Sequence, residues 1–433
     1  MSCLSTTYLA LCALSIAAPA PSLETGPGLV PATLPQSAEA LDRLDERADI
    51  PSNYAPKYTS CPSADLVRPA TSINPDESSY VTSRKTNADK ALATWLQKQG
   101  NFSTTDLPTI GFTSSGGGLR AMLSTAGVIQ ALDDPDGSHS TSGLYQALTY
   151  QAGLSGGAWF LSSLAGNNWP TVSELKNQLW IDSLDHSLLL PANLASIDAA
   201  TEYPVITTEL LAKQVAGYDL TLIDAWGRLL GYQLLGQQHH GGVAVRLSGL
   251  TSLSNFTDHN VPYPILTALG VEGAYLTECY ADDNVTHYEC HPYEYGSWDD
   301  GVSTFASTQY MGTPLSDGQS TKTTTLLKRK QCVVQYDNLG YIMGTSSDIF
   351  GALCQAPPAS KIPWAPDLKG IAPLLEDMIT KGRGPVLQDI FGVFPNPFAG
   401  YERAADVQEK GIVNMVDGGL AGQNSTYAIS VTR

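Results

Sequence analysis

Two glycine-rich turns constrain the fold of this chain more than any other feature of its sequence. Each turn follows a short apolar run and precedes a stretch with the apolar spacing of a helix. Because this succession is typical of a strand, a tight turn and a helix, the sequence predicts an α/β domain. The first set comprises Leu107–Phe112, Gly116–Gly118 and Leu119–Leu132, and the second comprises Ala147–Tyr150, Gly153–Gly157 and Ala158–Leu164.

The charge of the chain narrows the classes of partner. The 433 residues include 24 Lys and Arg against 42 Asp and Glu, a formal net charge of −18, and 42% of them are hydrophobic. This apolar fraction is sufficient for a sizeable core, so we expect a globular protein. The negative charge argues against nucleic acid or an anionic membrane surface as a partner, so any contact with lipid should be mainly apolar.

The N-terminal region differs in composition from the rest. Residues 1–20 combine the apolar stretch Tyr8–Ala18 with small residues around Ala20, which is typical of a signal peptide; the alternative is a disordered apolar N-terminus. Residues 21–55 are rich in Pro, Ala, Ser and acidic residues and indicate a linker or propeptide before a folded domain at 56–433. No later stretch has the roughly 20 apolar residues of a membrane-spanning helix, so we expect a soluble, secreted protein.

Sequons and cysteines favour the same secretory route. Five cysteines remain outside the leader, an odd number that allows at most two disulfides, with the pairing open. They lack the Cys-X-X-Cys spacing of metal sites, so we expect no metal. The cysteines are Cys61, Cys279, Cys290, Cys332 and Cys354, and the glycosylation sequons are at Asn101, Asn255, Asn284 and Asn424.

Ser155 is the candidate nucleophile. It lies at the centre of Gly153–Gly157, which matches the Gly-X-Ser-X-Gly pattern of a nucleophile elbow. Glycines flank such a turn because a side chain would collide with the neighbouring strand and helix. The turn presents the hydroxyl at a helix N-terminus, where the helix dipole favours developing negative charge. The alternative is a small-residue turn without catalysis.

The run Gly116–Gly118 could be a phosphate cradle for a nucleotide, an oxyanion hole or a plain tight turn. A phosphate loop requires a Gly-Lys-Ser/Thr ending and a dinucleotide site requires a third spaced glycine, and neither follows the run. The N–H groups of consecutive glycines suit an oxyanion, which leaves that role or a plain tight turn. Arg120 follows in the first turn of the next helix, where the dipole disfavours a cation unless it binds a substrate phosphate or pairs with a carboxylate.

The base must be a histidine or a carboxylate. None of the six histidines that follow Ser155 stands beside a glycine turn or a strand end, so we expect them at surface or loop positions. Asp417 follows the apolar run Gly411–Val416 and precedes two glycines, which favours a direct Ser–Asp dyad if burial raises the basicity of the carboxylate. The histidines are His186, His239, His240, His259, His287 and His291.

These residues together resemble the fungal lysophospholipase (phospholipase B) family, whose catalytic domain is similar to the cytosolic phospholipases and, more distantly, to patatin. The similarity covers roughly Tyr54–Asn424 in family order. It implies a central mixed sheet flanked by helices. The matching motifs are Ser115–Met122, Ala152–Gly157 with Trp159, Asp224–Arg228, Pro292–Trp298, Asp337–Gly340, Met343–Ser347, Pro395–Phe398 with Tyr401, and Asn414–Gly419.

The resemblance implies a role for each site residue. Ser155 would attack the acyl carbonyl and Asp417 would take its proton, while Gly117 and Gly118 hold the oxyanion and Arg120 binds the phosphate. The implied substrates are phospholipids and lysophospholipids, met at lipid aggregates or a membrane surface in a transient contact. An acyl-enzyme is implied, without metal or cofactor.

The end of the resemblance keeps two alternatives open. Family members continue beyond Asn424, whereas Ser425–Arg433 do not resemble them, which predicts that the C-terminal part of the domain is missing. The chain could then be an inactive fragment that binds lipid or a partner, which fluorophosphonate labelling of Ser155 would distinguish from an assembled enzyme. The other alternative is an esterase for neutral glycerides, against which Arg120 argues.

Overall fold

A computed structural model describes residues 53–133, 135, 139–185, 199–236, 239–271, 285–324, 329–348, 350 and 387–421. Nine of the described strands form one sheet, which contains both parallel and antiparallel pairs and carries helices packed against it. The structure therefore confirms the α/β class and the mixed sheet. Within these residues, no helix combines the length and the apolar character that crossing a membrane requires.

The strands are short and are distributed along the chain from Lys57 to Val416, the residue before the candidate base. In the main sheet the order is β14-β15-β6-β7-β8-β9-β2, and β4 pairs with both β3 and β6. The strands are β1 (Lys57–Ser60), β2 (Val67–Pro69), β3 (Ile110–Ser114), β4 (Leu148–Gly153), β5 (Leu220–Thr221), β6 (Tyr263–Val271), β7 (His287–Cys290), β8 (Glu294–Ser297), β9 (Thr304–Ser307), β10 (Leu315–Ser316), β11 (Gln319–Ser320), β12 (Gln331–Val334), β13 (Leu387–Asp389), β14 (Gly392–Pro395) and β15 (Ile412–Val416).

The helices range from one turn to seven. They are α1 (Pro75–Gln99), α2 (Gly118–Leu132), α3 (Gly156–Gly166), α4 (Val172–Leu175), α5 (Ile181–Ser183), α6 (Ala199–Val215), α7 (Leu222–Leu234), α8 (His239–Gly242), α9 (Ser254–Thr257) and α10 (Leu339–Ser346). A π-helical turn, Lys176–Trp180, joins α4 to α5. Helices α3 and α10 are buried on every side, which is why their sequences are apolar or small throughout.

The two strand–turn–helix sets are confirmed, with shifted strand boundaries. The first predicted strand, Leu107–Phe112, is displaced toward Ser114, and the second extends past Tyr150 to Gly153. Parallel pairing explains the shift, because β3 and β4 stay in register as far as Ser114 and Gly153. Backbone hydrogen bonding thus carries the strands into polar and glycine residues that an apolar pattern does not include.

Two strands, β4 and β15, pair with the same edge of the central strand β6. Strand β4 runs parallel to β6 and ends with Gly153 opposite Leu266, and β15 runs antiparallel and ends with Val416 opposite Leu269. Strand β7 pairs with β6 from Leu266 to Leu269 and so occupies its other edge. Both β4 and β15 therefore run toward the same gap, at Thr267 and Ala268, with their C-terminal ends facing each other.

Helix α1 is held to the sheet by a buried arginine. Arg84 is fully buried, and its guanidinium donates to the carbonyls of Leu148 at 2.9 Å, Gln146 at 2.8 Å and His259 at 3.2 Å. Leu148 begins β4, Gln146 lies in the 3-10 turn before it, and His259 lies in the loop before β6. One side chain thus satisfies the backbone at the N-terminal ends of both strands that lead toward the site.

The folded domain begins earlier than the sequence predicts. Tyr54 falls within the predicted linker, yet it is only 3% exposed and donates to Asp224 at 2.6 Å. It packs in a small second core with Ile206, Leu210 and Leu220. The linker therefore ends before Tyr54, while the signal peptide and the rest of the linker lie outside the described residues.

One predicted disulfide is present. Cys61 and Cys332 are bonded and connect the end of β1 to β12, with which β1 pairs. Cys290 keeps a free, buried thiol, and burial raises its pKa to about 12, so it is unreactive at neutral pH. Cys279 and Cys354 lie outside the described residues.

Replacing Arg84 with alanine should destabilise the domain by about 3 kcal/mol or more, since several buried carbonyls lose their donor and a cavity remains. The measurement is urea unfolding of Arg84→Ala beside Lys90→Ala, an exposed position on the same helix α1. A loss for Arg84→Ala no larger than that for Lys90→Ala would contradict the anchoring role.

Candidate active site

Ser155 lies in a strained turn between β4 and α3. Its backbone has φ 54° and ψ −121°, a combination that non-glycine residues rarely adopt. Helix α3 begins at the next residue, and Ser155 accepts the Trp159 N–H at 2.9 Å through its carbonyl. The side chain is 6% exposed. The sequence-predicted elbow is therefore present, with the hydroxyl at the N-terminus of a buried helix.

The glycines of the elbow are required by close backbone approaches. A Cβ on Gly153 would lie 2.6 Å from the Gly157 carbonyl oxygen, and one on Gly157 would lie 2.4 Å from that of Ser114. Helix α3 and strands β3 and β4 thus meet at backbone contact distance. No side chain fits at these positions without moving the main chain.

The run Gly116–Gly118 lies directly against the elbow. A Cβ on Gly116 would be 2.8 Å from Ser155 Cβ and 3.2 Å from its Oγ, and one on Gly156 would be 2.2 Å from the Gly118 carbonyl oxygen. Gly117 and Gly118 have φ of 136° and 60°, which favours glycine at both. The sequence anticipated Gly117 and Gly118 here, but it did not anticipate that Gly116 is the neighbour of the Ser155 side chain.

Asp417 is the hydrogen-bond partner of Ser155. It follows β15 directly, and its carboxyl group is hydrogen-bonded to the Ser155 hydroxyl. Its Oδ1 accepts the Gly419 N–H at 2.8 Å. Burial raises the pKa of Asp417 to about 6, while the two hydrogen bonds partly offset that rise. A carboxylate of this basicity is a better proton acceptor than an ordinary aspartate and is still ionised at neutral pH.

Ser346, at the end of α10, was not singled out from the sequence. The Ser155 N–H donates to its carbonyl oxygen at 3.1 Å and to its Oγ at 3.0 Å. The Ser346 hydroxyl in turn donates to the Thr267 carbonyl at 2.7 Å, in the gap between β4 and β15. Only the position of Ser346 within the family motif Met343–Ser347 could have drawn attention to it.

Arg120 lies beside the glycine run and is exposed. Its guanidinium approaches within 3.9 Å of the position that a Cβ of Gly117 would take. In the part of the chain that the structure describes, no carboxylate forms an ion pair with Arg120. The ion-pair alternative therefore has no support among these residues. The interpretation of Arg120 as a substrate ligand stays a prediction.

The expectation that the histidines lie at surface or loop positions is wrong for His287, which is in a strand, whereas His291 lies in a loop but is buried. His287 begins β7 and lies 3.2 Å from Asp299, and His291 directly follows β7, is fully buried and lies 2.7 Å from the Tyr263 hydroxyl. Neither of these two partners is Ser155 or Asp417. His186 lies outside the described residues, as do the side chains of His239 and His240.

One group among the described residues could hold a metal ion. Glu77, His291 and Glu294 are buried and place ligand atoms within 4.8 Å of one another. Arg68 already pairs with Glu294 through two nitrogens, and Asn74 donates to the same carboxylate at 2.9 Å. The group includes neither Ser155 nor Asp417, and the expectation of no metal stays a prediction.

Two of the sequons can be placed. Asn101 is exposed, as glycosylation requires. Asn255 is half-buried, and its side-chain amide donates to the Asn168 carbonyl at 2.8 Å, so it is less accessible to modification. Asn284 and Asn424 lie outside the described residues.

Comparisons with known proteins agree with this fold. Human GIVD cytosolic phospholipase A2 has a similar structure, with a TM-score of 0.62 at 19% identity over 87% of this chain and 53% of that one. The same protein in complex with methyl gamma-linolenyl fluorophosphonate matches with a TM-score of 0.54 at 21% identity, over 85% of this chain and 45% of that one. The fold is thus that of human GIVD cytosolic phospholipase A2.

The family follows from the sequence match. Residues 110–431 match the model of the lysophospholipase catalytic domain, and the chain belongs to this family. Lysophospholipase 1 of Candida albicans is 36% identical over 87% of this chain and 62% of its own length, and lysophospholipase 1 of Saccharomyces cerevisiae is 32% identical over 90% and 60%. The chain thus spans about three fifths of the length of these relatives. Because the family match runs to 431, the expectation that the resemblance stops at Asn424 is wrong.

A reaction in which Asp417 accepts the Ser155 proton should fail in acid. Protonated Asp417 cannot accept a proton, so kcat/KM should fall about tenfold per pH unit below about pH 6 and stay level above it. The pH profile of kcat/KM measures this. Asp389→Asn is the control, because burial also raises the pKa of Asp389 although it lies outside the site. An acidic limb near the ordinary aspartate range would contradict the assignment.

A methyl group at Gly156 should disable the site. It would meet the Gly118 carbonyl oxygen and push the glycine run away from Ser155, so we expect Gly156→Ala to lose roughly 100-fold in kcat. The matched control is Gly127→Ala in α2, where a Cβ meets nothing within 4 Å. That variant should keep its activity, and its free energy of unfolding, measured in urea, should rise by about 0.5–1 kcal/mol. Equal activity of the two variants would be incompatible with the contact.

Proposed function

We propose that this chain hydrolyses fatty-acyl esters of lysophospholipids and phospholipids through a Ser155–Asp417 dyad. The observation that carries the proposal is the hydrogen bond between the Ser155 hydroxyl and a buried Asp417 whose pKa is raised to about 6, at an elbow packed against three glycines. A serine in this setting has an adjacent base and a helix N-terminus, which are the two requirements of an activated oxygen nucleophile.

The chemistry balances within these groups. Asp417 takes the Ser155 proton as Oγ attacks the acyl carbonyl, and the oxyanion is held by the N–H groups of Gly117 and Gly118. The intermediate collapses with loss of the glycerol oxygen, which receives the proton from Asp417. Water then attacks the acyl-enzyme and gives a proton to Asp417, and the fatty acid is released as the leaving Ser155 Oγ takes that proton back.

The substrate class rests on Arg120 and on the relatives. A guanidinium that is exposed beside the glycine run, without a carboxylate partner among the described residues, is suited to bidentate contact with a phosphate. The relatives named lysophospholipase support the same class. The net charge of −18 favours a transient, mainly apolar contact with lipid aggregates and argues against nucleic acid as an electrostatic partner.

We also propose a secreted, glycosylated enzyme. The apolar leader at 1–20 and the sequons support this route, and so does the Cys61–Cys332 disulfide, since such bonds persist in oxidising compartments. Asn101 is the sequon that is best placed for a glycan, because it is exposed.

The direct test is release of fatty acid from lysophosphatidylcholine by the 433-residue chain, with Ser155→Ala and Asp417→Asn as variants. We expect activity in the parent and a loss of at least about 1000-fold in each variant, because either change removes the proton transfer that activates the nucleophile. Reaction with a fluorophosphonate should modify Ser155 in the parent. A folded parent that neither hydrolyses nor is labelled would indicate instead an inactive protein that binds lipid.

The role of Arg120 is tested by comparing two substrates. Arg120→Gln should lower kcat/KM for lysophosphatidylcholine by about 10- to 100-fold, since a charge-assisted contact to phosphate is lost, and leave a monoacylglycerol unaffected. Arg403→Gln, at another exposed arginine, is the control. An equal loss on both substrates would refute phosphate binding and favour neutral esters.

A further inference from the structure

We propose that Ser346 is a positioning residue that sets the Ser155 nucleophile against Asp417. This inference rests on the proposed function and adds a residue to its machinery. Ser346 is 1% exposed and so cannot meet a substrate. Its contacts connect the nucleophile to the central strand: the Ser155 N–H donates to Ser346, and the Ser346 hydroxyl donates to Thr267.

The strain of the elbow makes this contact consequential. With φ at 54°, Ser155 occupies a conformation that persists only when its surroundings hold it. Its N–H is bonded both to the Ser346 carbonyl at 3.1 Å and to the Ser346 Oγ at 3.0 Å. This pair of bonds orients the peptide before Ser155 and therefore the direction of its Cα–Cβ bond and hydroxyl.

The Thr267 contact places Ser346 at the meeting point of the two catalytic strands. Thr267 lies on β6 between Leu266, where β4 ends, and Leu269, where β15 ends. Ser346 thus forms a hydrogen bond to β6, the strand that pairs both with β4, which leads to the nucleophile, and with β15, which leads to the base. A shift of its hydroxyl changes the spacing between Ser155 and Asp417 without touching either side chain.

Helix α10 is a rigid support for this contact. All eight of its residues are buried, and Gly344 packs against α7 so closely that a Cβ there would lie 3.1 Å from Gly227 Cα. The Ser346 carbonyl is in the last turn of the helix, where carbonyls lack an intrahelical partner. The Ser155 N–H donates to this carbonyl and is therefore directed into the protein, away from the oxyanion. The oxyanion must then be bound by other N–H groups.

The test is Ser346→Ala against Ser347→Ala. Ser347 is the neighbouring buried hydroxyl, and it donates to the Met343 carbonyl at 2.8 Å, inside the helix. Each variant loses one buried hydroxyl from the same helix end, so a purely structural effect should appear in both. Each is measured for kcat and KM on lysophosphatidylcholine, for the rate of fluorophosphonate labelling, and for urea unfolding. Ser346→Cys, which keeps the size but accepts hydrogen bonds weakly, is the second variant if the alanine variant fails to fold.

Ser346→Ala should lower kcat and the labelling rate by about tenfold or more with KM unchanged, while Ser347→Ala keeps both rates. Its acidic limb should also move to higher pH, because a weaker hydrogen bond from Ser155 removes an interaction that lowers the pKa of Asp417. Rates and a limb equal to those of the parent would overturn the inference and leave the proposed function intact. A folded parent without hydrolysis or labelling would overturn both.

Discussion

The shared edge of β6 is the constraint on which the candidate site depends. Strand β4 approaches the gap at Thr267 and Ala268 from one side and β15 from the other, so their C-terminal ends meet head-on. Ser155 follows β4 by two residues and Asp417 follows β15 by one, which explains why residues more than 250 positions apart form a hydrogen bond. The pairing of backbones, rather than any attraction between the two side chains, brings the dyad together.

Burial at this junction supplies the basicity that an isolated aspartate lacks. Asp417 is 8% exposed, and desolvation disfavours its charged form more than its bonds to Ser155 and Gly419 favour it. The balance leaves a base that is ionised at neutral pH and still able to take a proton. In the proposed mechanism Gly117 and Gly118 matter for the same reason, since a carboxylate weaker than imidazole as a base requires strong stabilisation of the oxyanion.

Local sequence patterns predicted the parts of the site that local chemistry determines. The glycines around Ser155 and the two glycines after Asp417 mark turns, and the structure brings Ser155, Asp417 and the run Gly116–Gly118 together. The gap in β6 could not be predicted, because strand order depends on pairings between distant segments. Ser346 and the burial of His291 were missed for a related reason: a serine in a helix and a histidine after a strand carry no sign of which distant strand they face.

The position of Asp417 depends on the register of β15. A slip of one residue in β15 would turn Asp417 to the opposite face of the sheet, because side chains alternate along a strand. Pairing of β15 with β14 on its outer edge opposes such a slip, with Gly392 opposite Met415. A Cβ on Gly392 would lie 2.4 Å from Thr345 Oγ1, so α10 packs against β14 at the residue before Ser346. One buried helix therefore contacts the strand pair that carries the base and bonds to the turn that carries the nucleophile, which couples the positions of the two.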